Sequence, residues 1–355
     1  MTLPLLKNAK VEGKTVLLRL DLDVPISKTR RITDDTRLFV GLDSLKYLLH
    51  RGAFVTVVGH MGRPKGHEEG LSLRPVVDWF CDHVRHDAEK TKIGKFDGWH
   101  LSQNLSIIEN IRFYQGEETN DPKFAQELAD LAEIYVNDAF DTCHRNHASI
   151  AGVPSLLPHF AGLRLELEVK ELTGVLENPK RPLCVIVGGA KIETKLPLIE
   201  KMHEFADYVL IGGKIAEETK ELLRVQHAKM TRRRSALLVA DLNDNQTDIT
   251  PNTLENFIQI IGMCKAVVWN GPLGILENSE FKTQEARARE ADSGTQKVAE
   301  AIIKSKMYSL AGGGDTVGFL KENNLLDSFH ISTGGGAMLS FLAGEKLPGI
   351  EALLK

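Results

Sequence analysis

Leu310–Ala337 reads LAGGGDTVGFLKENNLLDSFHISTGGGA. It holds two triple-glycine turns, Gly312-Gly313-Gly314 and Gly334-Gly335-Gly336. Each follows a short apolar run, Met307–Ala311 or Phe329–Ser332, and each precedes a helix-forming stretch. The order is strand, glycine turn, helix, twice over. Glycine lets backbone N–H groups turn inward and lets a ligand approach with no Cβ in the way. A helix start adds unpaired N–H donors and the positive end of a dipole. Two such turns on neighbouring strands make a seat for an anion, most often phosphate. Asp315 follows the first turn at once, where a carboxylate suits a Mg²⁺ held between it and bound phosphates.

Working outward, the same grammar recurs. Thr15–Leu20 is a buried strand that delivers Asp21-Leu22-Asp23-Val24-Pro25 at its C-terminal end. A helix start at Thr33–Arg37 leads into apolar periodicity to about Leu49. Phe54–Val58 is a strand ending in Gly59-His60-Met61-Gly62-Arg63, followed by a helix over Arg74–Val84 and a loop to about Asn104. Leu105–Ile108 is a strand ending in Glu109-Asn110-Ile111-Arg112, Phe124–Leu131 is helical, and Ile134–Val136 leads to Asn137–Arg145. Strands and helices alternate, so the fold class is α/β with doubly wound parallel sheets. Arg37, Arg63, Arg112 and Arg145, with His60, all fall at strand ends or helix starts. Ligands bind at that edge of an open parallel sheet, and arginine grips phosphate or carboxylate with two parallel hydrogen bonds. Convergence of the set predicts a small polyanionic substrate.

The helical segment Leu163–Leu176 precedes a restart of the strand–helix count. The second half opens on the strand Leu183–Val187 and Gly188-Gly189-Ala190-Lys191-Ile192-Glu193-Thr194-Lys195, with Lys191 and Lys195 on one helix face. Tyr208–Ile211 leads to Gly212-Gly213-Lys214, Ala236–Ala240 is a further strand, and Ala266–Trp269 ends in Asn270-Gly271-Pro272. Arg232-Arg233-Arg234 and Glu285–Asp292 read as solvated surface.

Bulk properties bound the answer. A chain of 355 residues is better divided into two domains than packed round one core. A formal charge of -4 gives no general pull toward nucleic acid or membrane, and no apolar run reaches membrane-spanning length. The N-terminus lacks a signal peptide's apolar core. Four scattered cysteines with no CxxC pair suit a reducing cytoplasm and give no zinc or disulfide framework. No long amphipathic seam is present, which favours a monomer.

Taken together, the motifs resemble the phosphoglycerate kinase family nearly end to end. The resemblance is carried by RLDLDVPI (Arg19–Ile26), ITDDTR (Ile32–Arg37), GHMGRPKG (Gly59–Gly66), ENIRF (Glu109–Phe113), YVNDAF with HRNHAS (Tyr135–Phe140, His144–Ser149), GGAKIETK, VVWNGPLGILE (Val267–Glu277), AGGGDT, STGGGA and LPGIEAL (Leu347–Leu353). It implies two Rossmann-like lobes: residues 1–162 for phosphoglycerate and 179–337 for the nucleotide. It also implies a hinge helix over 163–178 and a tail, 338–355, that packs back on the first lobe. The implied reaction is reversible transfer of the acyl phosphate of 1,3-bisphosphoglycerate to Mg-ADP, giving 3-phosphoglycerate and ATP. Motif by motif, phosphoglycerate falls to Asp21, Asp23, Arg37, His60, Arg63, Arg112 and Arg145. The nucleotide falls to Lys195, Gly213, Asn270, Glu277, Gly313, Gly314, Asp315 and Thr316, with Glu277 at the ribose and Asp315 at Mg²⁺. Arg37, Lys191 and Gly335 face the migrating group. A loose phosphoryl transition state asks for cations and N–H dipoles more than for a base, which suits this set. Substrates on separate lobes must be brought into line, so hinge closure follows.

The chain departs from the family pattern in three places. Asp23 stands where an asparagine is usual, placing a carboxylate beside an anionic substrate. Lys214 stands where a third glycine is usual. The stretch between Gly212 and Asp248 is shorter than usual by dozens of residues, which predicts weak recognition of the purine. In addition, Lys282–Ala291 reads as an insertion, and Asp141, Cys143 and Asn146 replace small residues. A second reading is therefore a family-like protein that binds phosphorylated ligands with impaired catalysis. A third, a nicotinamide-dependent oxidoreductase, requires a GxGxxG turn after the first strand, and Arg19–Pro25 contains no glycine.

Overall fold

Thr15–Arg19 forms β1, and all but its first residue are buried. A strand covered on both faces needs consecutive apolar side chains, and Val16-Leu17-Leu18 supplies them. The structure, a computed structural model, describes residues 2–84, 87–189, 196–226, 235–276 and 292–354. β1 pairs in parallel with β2 (Phe54–Val58) on one side and β6 (Ile134–Asn137) on the other. In that register Leu18 lies opposite both Val57 and Val136. β5 (Leu105–Ile108) extends the sheet beyond β2, and β7 (His159–Ala161) extends it beyond β6. The helices α1 (Thr36–His50), α2 (Arg74–Val84) and α3 (Pro122–Ala129) connect the strands. Asp121 starts α3 by accepting the Phe124 N–H at 2.8 Å, with Pro122 in the first turn.

The segment read as a loop before Asn104 is instead an antiparallel hairpin, β3 (Glu89–Ile93) and β4 (Phe96–Ser102). It gives the sheet the order β3-β4-β5-β2-β1-β6-β7. β3 reads EKTKI and is mostly exposed, so it lacks the apolar alternation that marks a strand. Lysines on such an edge discourage pairing with another chain. Only the pairing of β4 with β5 reveals the hairpin, and there a Cβ at Gly98 would stand 2.4 Å from the Ile107 carbonyl. β7 carries no strand pattern in three residues and was likewise not anticipated.

The second sheet is parallel throughout, in the order β10-β9-β8-β11-β12-β13. Its strands are β8 (Leu183–Val187), β9 (Tyr208–Ile211), β10 (Ala236–Val239), β11 (Ala266–Asn270), β12 (Tyr308–Gly312) and β13 (His330–Ser332). The apolar runs of the sequence coincide with these strands to within a residue or two. Helices α5 (Leu196–Phe205), α6 (Ile215–Gln226), α7 (Pro251–Met263), α8 (Gly294–Ser305), α9 (Gly314–Glu322) and α10 (Gly335–Leu342) link them. Between β9 and α7 the described residues hold α6, β10 and a loop closed by the Leu242–Ile249 bridge.

The chain divides by internal contacts into Met1–Lys170 with Lys346–Lys355, and Glu171–Glu345. Each unit has its own buried apolar cluster. Helix α4 (Leu163–Glu177) carries the chain across the division. Its first turn is fastened to α1 and to the loop after β6. The Leu165 N–H donates to Asp138 Oδ1 at 2.9 Å, and the Leu163 N–H donates to Ser44 Oγ at 2.8 Å. The C-terminal tail docks on the loop after β6, where the Gly349 N–H donates to the Cys143 carbonyl at 2.9 Å. A Cβ at Gly349 would stand 2.8 Å from Ile150 Cγ2 and 2.9 Å from Cys143 Sγ.

Candidate functional site

In the N-terminal sheet the chain leaves β1 toward β2 and β5, then returns to β6 on the other side of β1. The loops after β1 and β6 therefore part at their C-terminal ends and open a crevice, the usual ligand position in such sheets. Asp21 and Asp23 follow β1, His60 and Arg63 follow β2, Arg112 follows β5, Arg145 follows β6, and Arg37 opens α1. All of them follow the C-terminal ends of strands, as their order in the sequence implied.

The polar contacts there are specific. Arg37 Nη1 donates to the Asp23 carbonyl at 2.9 Å, and it lies 3.3 Å from Asp21 Oδ2 and 3.4 Å from Asp141 Oδ2. Asp23 Oδ1 accepts the Gly62 N–H at 2.9 Å, and its Oδ2 lies 3.6 Å from His60 Nε2. Arg112 Nη1 donates to the Gly62 carbonyl at 2.6 Å, while its buried Nε makes no hydrogen bond. Arg63 and Arg145 form no ion pair among the described residues. The Asp23 carboxylate is thus held by a backbone N–H and a histidine rather than by an arginine side chain.

Electrostatics show what kind of ligand the crevice suits. Arg19 Nη2 meets His60 Nδ1 at 3.1 Å. An arginine only donates, so Nδ1 accepts and the proton of neutral His60 sits on Nε2, facing Asp23. Burial, Arg19 and Arg112 hold His60 well below the ordinary histidine range. His147 is pushed down to about 3 by burial, Arg112 and Arg19. Burial, Arg19 and Arg145 lower Arg112 as well. Burial is the larger cause in all three, and the neighbouring arginines add to it, so these groups share a site where further positive charge is disfavoured. Burial also pushes Asp21 up to about 7, with Asp141 and Asp23 adding to the rise and Arg37 opposing it.

Arg19 was missed by sequence reasoning. It is fully buried at the end of β1, donates from Nε to Ser149 Oγ at 3.0 Å, and also bonds the Leu20 carbonyl. Ser149 in turn gives its hydroxyl to Glu117 Oε1 at 2.6 Å and its N–H to Glu117 Oε2 at 2.9 Å. This buried Arg19–Ser149–Glu117 chain braces His60 from behind. One clue was present: a charged residue inside the apolar run of β1.

The C-terminal unit repeats the topology with other means. The chain leaves β8 toward β9 and β10 and returns to β11, so the switch falls between β8 and β11. There the Gly188 N–H donates to the Asn270 carbonyl and the Gly189 N–H to the Pro272 carbonyl, both at 2.8 Å. A Cβ at Gly271, where φ is +95°, would stand 2.3 Å from the Gly188 carbonyl oxygen. Only glycine fits so close an approach. Gly213, at φ +66°, donates its N–H to the Leu273 carbonyl at 2.9 Å. The neighbouring Lys214 is exposed with no positive φ, so lysine sits there without backbone strain.

The two triple-glycine turns come together as anticipated. β12 and β13 are adjacent and parallel, and α9 and α10 start just beyond them. A Cβ at Gly335 would stand 3.0 Å from Gly313 Cα. Gly313 and Gly334 precede these helices without a side-chain cap, so first-turn N–H groups face outward uncapped. Nothing would meet a Cβ at Gly314 within 4 Å, and Asp315 beside it is exposed. Two residues of the predicted set have structural bonds instead of open groups. The buried Thr316 hydroxyl accepts the Gly271 N–H at 2.8 Å, and Asn270 Nδ2 donates to the Gly312 carbonyl at 3.1 Å. Lys191, Lys195, Glu277, Arg232–Arg234 and the insertion Lys282–Ala291 lie outside the described residues. Among the described residues no cluster of three or more metal-ligating side chains occurs, and no helix is long and apolar enough to cross a membrane.

Comparison with known proteins agrees on one family. A family model described as phosphoglycerate kinase matches residues 6–232 and 217–345. The two pieces meet within the stretch that the sequence reads as shortened. Phosphoglycerate kinase of Dictyoglomus turgidum is 37% identical over 396 aligned positions, covering 98% of this chain and 97% of the relative. That of Acaryochloris marina is 36% identical over 408 positions, covering 99% and 98%. Both alignments are longer than the 355-residue chain, so this chain lacks positions that the relatives have. Among solved structures, phosphoglycerate kinase from Coxiella burnetii superposes with a TM-score of 0.77 at 29% identity, covering 99% of both chains. That from Pyrococcus horikoshii gives 0.78 at 27%, covering 99% and 98%.

Proposed function

This chain belongs to the phosphoglycerate kinase family, and from that premise we propose how its two crevices share one reaction. The reaction is phosphoryl transfer to a carboxylate acceptor and back: 1,3-bisphosphoglycerate and Mg-ADP exchange with 3-phosphoglycerate and ATP. The N-terminal crevice takes the phosphoglycerate. The observation that carries this assignment is the placing of Arg37, Arg63, Arg112 and Arg145 beyond the C-terminal ends of β1, β2, β5 and β6; burial first, and Arg19 and Arg112 after it, hold His60 and His147 below the ordinary histidine range. Arg63, Arg112 and Arg145 grip phosphate and carboxylate oxygens, with His60 Nε2–H as a neutral donor beside them. Asp21 and Asp23 orient Arg37 and the loop at Gly62. Arg37 neutralises the charge that develops on the transferring group.

The C-terminal crevice takes the nucleotide. Its phosphates lie on the uncapped helix starts at Gly313, Gly314 and Gly335, with Lys191 and Lys195 assigned from the family resemblance. Glu277 takes the ribose on the same basis. Thr316 and Asn270 act by holding the turns against each other rather than by direct contact. Mg²⁺ prefers one or two carboxylates plus substrate phosphates, so the exposed Asp315 beside an open helix start fits it. Asp315 would hold the ion, and the ion would neutralise phosphate charge. Asp21, Arg37 and the glycine turns do the remaining work by binding and orienting. Transfer requires the two substrates to be brought into line and water to be excluded, which is the role proposed for bending about α4.

The same reading makes the protein a cytoplasmic monomer that works on small molecules, with no nucleic acid or membrane partner. Its four cysteines are free and three are buried, which suits a reducing compartment. Recognition of the purine is weak, because the wall of the base pocket falls in the shortened stretch. The test is a coupled assay with 3-phosphoglycerate and Mg-ATP. Glyceraldehyde-3-phosphate dehydrogenase removes the acyl phosphate, and NADH loss is followed. Turnover that disappears in Lys191→Ala is expected; a folded protein without turnover would leave only a binding role.

A further inference from the structure

One nitrogen of Arg37 carries an unusual load. Nη1 faces the Asp23 carbonyl at 2.9 Å, Asp21 Oδ2 at 3.3 Å and Asp141 Oδ2 at 3.4 Å. Asp21 and Asp23 come from the loop after β1, and Asp141 from the single turn Phe140–Thr142 after β6. The guanidinium is therefore spanned from both sides of the crevice before any ligand arrives. Asp21 Oδ2 is buried and has no hydrogen bond, so its contact with Arg37 is one of charge.

We propose that Asp141 is a positioning residue that sets the affinity for phosphoglycerate: with Asp21 it clamps Arg37 Nη1, and the anionic substrate must compete with these two carboxylates for the guanidinium. The inference rests on the kinase reading, since it takes Arg37 as a substrate contact.

The charges around the clamp decide its behaviour. Facing it are Asp21 and Asp23 after β1, Asp34 and Arg37 at the start of α1, Arg145 in the loop of Asp141, and Glu168 on α4. Burial pushes both Asp21 and Asp141 upward, and Arg37 pulls both down. Two carboxylates this close do not both ionise without cost. With Asp21 pushed up to about 7, the clamp changes charge near neutrality. As pH rises through that value the clamp becomes more negative and competes harder with an anion. Removing Asp141 takes a like charge from Asp21, which then ionises at lower pH on Arg37, although burial, the larger cause of its rise, remains. The pH dependence should flatten. Gly and Ala are tolerated in such a turn, so nothing in the backbone demands an aspartate there.

The experiment measures 3-phosphoglycerate affinity by titration calorimetry from pH 6 to 8, beside steady-state kinetics, for the parent, Asp141→Gly, Asp141→Asn and Asp141→Glu. Asp141→Gly should tighten Kd about fivefold at pH 8, and by less at pH 6. KM should follow Kd while kcat stays within about twofold. Asp141→Asn keeps the shape and should move the same way, which guards against a glycine variant that misfolds. Asp141→Glu should return toward the parent. Unchanged or weaker binding in the Gly and Asn variants overturns the proposal, as does tightening with the parent's pH slope. Absence of turnover in every variant, with these affinity differences intact, counts against the kinase reading and for the clamp. No binding of 3-phosphoglycerate to parent or variants overturns the clamp itself.

Discussion

The two units share a winding but hold their crevices open by opposite means. Among the described residues, every buried aspartate, glutamate, arginine and histidine lies in the N-terminal unit: Arg19, Asp21, His60, Glu109, Arg112, Glu117, Asp138, His147 and Glu168. Among the described residues of the C-terminal unit, the buried polar side chains are uncharged, mostly hydroxyls such as Thr295 and Thr316, with the Asn270 amide beside them. The first crevice is built from charged side chains, several of them paired with one another. The second is built from backbone, with glycines where strand ends meet. The contrast teaches that one topology can present an anion with either guanidinium groups or N–H dipoles, and that the two fail differently.

The contrast breaks first at Arg37. On the proposed role of Arg37 at the migrating group, Arg37→Ala should lower kcat on the order of 10³-fold. A loss below tenfold in the coupled assay would remove Arg37 from that position. The next test asks which unit tolerates a side-chain change. Gly271→Ala should destabilise by about 3 kcal/mol, because φ is +95° and the new methyl would meet the Gly188 carbonyl. Arg145→Ala has no ion pair to break, so it should change stability by less than about 0.5 kcal/mol while raising KM for phosphoglycerate. Urea midpoints for the two variants decide it; equal shifts would erase the distinction between a backbone seat and a side-chain seat.

Buried charge also gives the N-terminal unit a pH liability. Burial raises Asp138 to about 6, against an unfolded value near that of a free aspartate. The folded state then holds a proton that the unfolded state releases. This contribution to stability is complete below pH 4, shrinks as pH rises toward 6, and is gone above it. Asp138→Asn keeps the acceptor for the Leu165 N–H and should flatten urea stability over pH 4–6. A parallel shift of the whole curve would instead mark a lost hydrogen bond. The smallest expected effect lies in the other unit. The ratio of kcat/KM for ATP over GTP should stay below about tenfold; a ratio of a hundred would show an intact purine pocket despite the shortened stretch.

Much of the chain was legible because parallel strands buried on both faces must be runs of apolar residues, as in Leu183–Val187 and Ala266–Trp269. The glycine turns were legible for a related reason, since Gly271 and Gly313 sit where no side chain fits. The hairpin of β3 and β4 was not, because EKTKI buries little and its pairing partner is set by β5. Arg19 hid inside β1, where the strand pattern outweighed one charge.

By itself, then, the sequence determined the alternation of elements, the ends of the strands to which the candidate residues map, and the family. These follow from local rules of periodicity, turn geometry and motif order. Tertiary structure decided the electrical state of the site. Asp141 is far from Arg37 in sequence, yet the return of β6 to the flank of β1 brings them to 3.4 Å. The pairing of β1 with β2 likewise sets Arg19 against His60 and fixes the histidine as a neutral donor. Charge interactions depend on distance and burial, and both are properties of the packed chain rather than of residue order.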